Sequence, residues 1–169
     1  MKFSHAMLIA TMATAALSAH AMLPTPSDAQ AQQTDAHAVP NIDTKMNAFL
    51  VNTDASGHET LRPLTTADTV VRGDVVEYQG LYTNHDTNRV RSMTVTVDIP
   101  EGVELIGAIS PSIGKASIDG DHFVNMPIRT KVNAEIQELP LSYYKALRWT
   151  VEDLGVGGTA SVKYRVRVK

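Results

Sequence analysis

Apolar side chains recur along this chain at every second position, and they do so most cleanly at its end. From Thr159 to Lys169, the residues Ala160, Val162, Tyr164, Val166 and Val168 alternate without a break with Ser161, Lys163, Arg165, Arg167 and Lys169. A period of two turns one set towards a core and the other towards water, the pattern of a half-buried strand. The stretch Arg91 to Pro100 repeats it, with Met93, Val95, Val97 and Ile99 facing one way and Ser92, Thr94, Thr96 and Asp98 the other. Pro100 and Gly102 end that run. A third strand is predicted over Asp74 to Asn84, where Val76, Tyr78 and Tyr82 oppose Glu77 and Gln79. Gly80 in its middle predicts a weak point or a bulge. Shorter candidates are Met46 to Asn52, Val103 to Ile109, Lys115 to Ile118, His122 to Pro127 and Leu147 to Val151. Asp119-Gly120 reads as a type I′ hairpin turn. Only Lys131 to Leu147 has any helical ambiguity, and Pro140 interrupts it, so a long loop holding one turn is expected there. Seven or eight short antiparallel strands with almost no helical period predict an all-β sandwich.

The first residues follow a different logic. Lys2, an apolar run from Ala6 to Leu17 and the small-x-small triplet Ala19-His20-Ala21 make the pattern of an export leader, residues 1–21, with Ala29-Gln30-Ala31 as an alternative cleavage point. The run is diluted by Thr11, Thr14 and Ser18 and is shorter than the roughly 20 residues of a bilayer span, which excludes a transmembrane anchor. Residues 22–44, rich in Ala, Gln, Pro, Thr and Asp, are expected to be a flexible spacer, and residues 45–169 the folded domain. Nothing after the leader is long and apolar enough to span a membrane. The chain has no cysteine, so no disulfide or thiol-linked lipid can support it, and a hydrophobic core must. Loss of Lys2 with the leader leaves 14 basic against 18 acidic side chains, a sign that argues against nucleic acid as partner.

Several of these segments resemble a known family. Val71-Arg72-Gly73-Asp74-Val75-Val76-Glu77-Tyr78, then Tyr82-Thr83-Asn84, then Val95-Thr96-Val97-Asp98-Ile99-Pro100-Glu101-Gly102-Val103, and finally Arg148-Trp149-Thr150 with Leu154 to Val168 occur in a characteristic order. Together they are similar to the bacterial conserved-repeat domain of unknown function number eleven, an immunoglobulin-like module of exported and cell-surface proteins. The resemblance covers about Asp68 to Lys169 and implies an immunoglobulin-like β-sandwich, here in a single copy. Gly80, Val97 and the longer stretch from Arg129 to Tyr144 depart from the family pattern. The family has no shared catalytic residues to carry over, so the resemblance implies a fold and a compartment only.

Tests for chemistry return bland readings. A Gly-x-Ser-x-Gly elbow is absent, and Ser110-Pro111-Ser112 reads as a turn. His58, His85 and His122 are scattered, and Asp119-Gly120-Asp121 lacks the alternating oxygens and closing Glu of a calcium loop. Glu152-Asp153 and Gly155-Val156-Gly157-Gly158 read as a solvated turn and a tight connection before a strand. No catalytic residue, metal ligand or cofactor is therefore assigned. The distinctive surface feature is the outward row Lys163, Arg165, Arg167 and Lys169, a cationic ladder about 20 Å long on one strand face. Tyr143-Tyr144, beside Lys145 and Arg148, could extend this face or pack under the long loop.

The expectation from sequence is thus a non-enzymatic binding or structural module, periplasmic or secreted, whose partner is an envelope protein or an anionic glycan. The alternative is an accessory subunit of a surface or secretion assembly that pairs through an edge strand. A glycan-active or metal-dependent enzyme ranks third.

Overall fold

The computed structural model describes residues 40–169, so the expected leader and the spacer up to residue 39 lie outside the described residues. Eleven strands follow: β1 (Ile42–Thr53), β2 (Glu59–Pro63), β3 (Val75–Asn84), β4 (Val90–Asp98), β5 (Val103–Ser110), β6 (Lys115–Ser117), β7 (Val124–Asn125), β8 (Arg129–Val132), β9 (Glu135–Glu138), β10 (Ala146–Leu154) and β11 (Thr159–Val168). Among the described residues the helical content is one 3₁₀ turn, Leu141–Tyr143, just after Pro140. A five-stranded sheet in the order β2-β1-β3-β11-β5 and a four-stranded sheet in the order β4-β10-β6-β7 enclose the core, and β8 and β9 pair only with each other. Every ladder is antiparallel. The fold is an all-β sandwich, and each of the eight strands expected from alternation is present. β1 begins at Ile42, three residues before the expected domain boundary at Lys45.

The alternation seen in sequence is what divides the two faces. On β11, Val162, Tyr164 and Val166 are buried, and on β4, Met93, Val95 and Val97 are buried. Tyr78 lies directly across from Tyr164 in the ladder, and their rings stack with centroids 5.4 Å apart. Gly80 makes no bulge: it stays in register with Met46 on one side and Val162 on the other. The Tyr82 ring occupies the space a side chain would need there, since a Cβ on Gly80 would lie 3.1 Å from Val162 Cγ2 and 3.2 Å from Tyr82 Cε2. An aromatic ring laid over a strand glycine restores the packing that the glycine lacks.

Buried polar groups hold the corners. Asn84, fully buried, donates through its amide to the carbonyls of Asn88, Leu154 and Gly155. Its backbone exchanges hydrogen bonds with the same turn, donating to Gly158 O and accepting from Gly157 N. One side chain thereby joins the β3–β4 and β10–β11 connections. The Ser110-Pro111-Ser112 turn is tied by the Trp149 indole, which donates to Pro111 O at 2.8 Å. Tyr144 is buried and its hydroxyl accepts from Ile128 N at 2.8 Å, which anchors the base of the β8–β9 hairpin.

Two local expectations are corrected. Gly120 has a positive φ but Asp119 does not, so the β6–β7 link is not a type I′ turn. Asp119 instead works as a hub, its carboxylate accepting from Asp121 N, His122 N and Ser117 Oγ. The stretch expected to be a long loop carries the β8–β9 hairpin, whose central residues Asn133 and Ala134 both have positive φ. All eight of its strand residues are exposed.

The Tyr82 hydroxyl is buried without a hydrogen-bond partner among the described residues. Removing it should therefore leave stability unchanged or raise it by up to about 1 kcal/mol, because an unpaired buried hydroxyl is a cost. Gly80→Ala should lose about 1–3 kcal/mol through overpacking against Tyr82 and Val162. Urea unfolding of both variants checks this, and a clear loss in Tyr82→Phe would show that the hydroxyl is in fact bonded.

Candidate functional site

The outward row of β11 sits in a defined neighbourhood. Cross-strand partners in an antiparallel ladder share a face. Arg165 faces Glu77 on β3, then Phe49 on β1 and Pro63 on β2; Arg167 faces Val75, then Val51 and Leu61. Lys163 faces Gln79 and then Asn47. The face therefore combines a charged strip on β11 with an apolar strip on β3, β1 and β2. Leu61 is 42% exposed, and Phe49, Val51 and Val75 are half-buried.

The two arginines of the row are paired with carboxylates. Arg165 donates to Glu77 at 2.7 Å and to Glu59 at 2.8 Å, and Arg167 lies 3.6 Å from Glu104. Four cations, counting Lys163 and Lys169, thus meet three carboxylates. Among the described residues Lys163 has no ion-pair partner. The Arg165–Glu59 contact also defines the shape of the sheet. In a flat sheet, three strand spacings, about 14 Å, would separate β2 from β11. Glu59 also sits four residues along β2 from Pro63, the residue in line with Arg165. A flat sheet would therefore hold the two Cα atoms about 20 Å apart, beyond the roughly 15 Å that an extended arginine and glutamate joined by a hydrogen bond can reach. The face is concave along that diagonal and curls around its apolar floor.

Glu77 lies beneath this bridge, 3% exposed although it points away from the sandwich core. Burial pushes its carboxyl pKa up, but the Arg165 guanidinium and the Gln79 amide, bonded at 2.7 Å each, outweigh this and hold it below its ordinary 4.5. The same pairing raises the Arg165 pKa. A buried carboxylate with all of its partners in place is a structural clamp.

The remaining expected positions fall elsewhere. Lys169 is exposed just past the end of β11, its backbone donating to Gly102 O. Tyr143 is 60% exposed in the 3₁₀ turn, whereas Tyr144 is buried and its hydroxyl accepts from Ile128 N beneath the β8–β9 stretch. Arg148 donates to Thr96 Oγ1 and lies 3.5 Å from the Phe123 ring centroid. The sequence reading missed the acidic partners Glu59, Glu77 and Glu104 and the apolar strip beside them. His122 pairs with Asp119 at 2.7 Å on the surface, and among the described residues no group of three or more His, Cys, Asp or Glu could hold a metal ion. Among the same residues no helix is long and apolar enough to cross a membrane.

Because folding lowers the Glu77 pKa, its contribution is complete above about pH 4.5 and fades as the pH falls through the lower folded value. Glu77→Ala should cost about 2–3 kcal/mol at neutral pH. Glu77→Gln should flatten the acid limb of stability below pH 4.5. Urea midpoints followed by the fluorescence of the single tryptophan, Trp149, test both, and an unchanged acid limb in the glutamine variant would remove Glu77 from the account.

Comparison of the chain with protein-family models, curated proteins and solved structures finds no match.

Proposed function

We propose that this chain is a non-enzymatic binding module, exported to the periplasm or beyond, with an immunoglobulin-like sandwich as its scaffold and a protein as its partner. The observation that carries the reading is the concave outer face of the five-stranded sheet. Arg165 and Arg167 are tied to Glu59, Glu77 and Glu104, and the floor offers Phe49, Val51, Leu61 and Val75. A polyanionic glycan is bound by uncompensated positive charge. A half-apolar surface with fixed ion pairs at its rim suits a protein surface better. Lys2, the apolar run and the small-x-small triplet of residues 1–21 support the compartment, and the family resemblance supports the scaffold.

The edge-strand reading is favoured by a separate observation. β4 pairs only with β10 and ends its sheet after nine residues, with nothing described on its other side. An accessory subunit that docks by strand pairing would use this edge.

Two measurements test these readings. The full chain, immobilised and exposed to native envelope proteins, should retain its partner in high salt and lose it with Leu61→Glu. It should pass a heparin column near physiological salt. Strong heparin retention that disappears with Lys163→Glu would replace the protein partner by an anionic glycan. For the edge reading, amides of β4 should exchange more slowly in the envelope-bound protein than in the free one.

A further inference from the structure

Two short connections at one end of the sandwich fix which strands lie across from one another. Residues 85–89 join β3 to β4, and residues 155–158 join β10 to β11. β3 neighbours β11 and β4 neighbours β10, so β4 lies across from β3 and β10 across from β11. The five-stranded sheet continues past β3 to β1 and β2, while the four-stranded sheet stops at β4. The core side of β1 consequently has no strand of the described residues above it.

Exposure along the ladder records this gap. Thr44 is exposed although its ladder partner, Tyr82, is fully buried on the same side of the sheet. Ile42 and Met46 are half-buried, whereas their partners on β3, Asn84 and Gly80, are buried. Leu64 and Val70, from the connection between β2 and β3, close over the other end of β1. Ile42 and Met46, half-buried against the core, form with Thr44 a partly exposed ledge, and the backbone edge of β4, unpaired among the described residues, runs alongside it.

That edge is guarded only at its ends. β2 is five residues long and ends at Pro63; β7 has two residues; β5 is bulged at Gly107 and Ala108. β4 has neither Pro nor Lys over nine residues; its charges, Arg91 and Asp98, lie at its two ends, and between them the outward side chains Ser92, Thr94 and Thr96 are small and uncharged. Among the described residues, no backbone hydrogen bond reaches Ser92 to Asp98 from anything but β10. Arg91, at the ledge end of β4, is exposed and makes no ion pair with a described residue.

We infer that the position beside β4, which no described strand occupies, receives an extended segment of a partner protein, which completes the upper sheet opposite β1. This inference rests on the edge-strand reading and adds the occupant's chemistry to it. Antiparallel to β4, like every ladder in this fold, the segment ends beside Arg91. It carries apolar residues at alternate positions, directed onto Ile42 and Met46, and a carboxylate at its last position, next to the Arg91 guanidinium. The ledge selects the alternation, and Arg91 sets the direction.

The test uses the full chain and two synthetic seven-residue peptides of alternating valine and threonine, one ending in an amidated aspartate and the other in an amidated lysine. The aspartate peptide should slow amide exchange between Ser92 and Val97 and bind about tenfold more tightly than the lysine peptide. Arg91→Glu should invert that preference, and Thr44→Glu, at the exposed position of the same ledge, should abolish protection by either peptide while leaving the unfolding midpoint nearly unchanged. A third aspartate peptide with a free C-terminus separates a side-chain carboxylate from a terminal one by which form gains from Arg91. Protection mapped to β2 or to residues 129–138, or none at millimolar peptide, overturns the inference. If β4 amides are nevertheless protected in the envelope-bound protein, the edge reading stands and only the occupant's chemistry has failed.

Discussion

The constraint on which this fold depends is that β3 is closed on both of its faces. Its inner side carries Val76, Tyr78 and Tyr82 into the core, and its outer side would ordinarily meet water. The curl of the five-stranded sheet prevents that, and Glu77 is left as a buried carboxylate at the centre of the molecule's concave face. A carboxylate in that position is tolerable only with its charge answered in place. Arg165 answers it and, by also gripping Glu59, fixes the curvature that buried Glu77 in the first place. Shape and charge compensation on this face are therefore one arrangement. The apolar floor is shallow and half-covered because the same clamp draws β2 towards β11.

Much of the architecture was legible because it follows a rule with a short period. β11 alternates perfectly, so both its existence and its buried set could be read residue by residue. β10 was harder to extend, because Asp153 takes a positive φ and the burial pattern changes phase from Val151 to Leu154. Gly80 was legible as a special position but not as the seat of the Tyr82 ring, since that depends on a neighbour's rotamer and not on backbone freedom. β2, β8 and β9 escaped notice for a common reason. Every residue in them is exposed, so no buried set imposes a period. The β8–β9 turn also places Asn-Ala where the recognised signal is Asn-Gly.

The surface row on β11 illustrates a different limit. That Lys163, Arg165 and Arg167 share a face follows from spacing alone. Their charge does not, because it is decided by Glu77 and Glu59, which lie 88 and 106 residues away along the chain. Tertiary register converts what reads as a basic strip into a nearly balanced one. Tyr143 and Tyr144 show the same on a smaller scale: adjacent in sequence, they point to opposite sides of the surface, one solvated and one supporting the hairpin.

The hairpin of residues 129–138 contributes no rung to either main sheet, and Tyr144 grips the chain just below it at Ile128. Mutational drift within it is consequently decoupled from the body. Changes in its length alter only the entropy of closing a loop, which grows slowly with size. Lineages carrying this fold thus possess a turret where new sequence can be tried while the sandwich underneath continues to form.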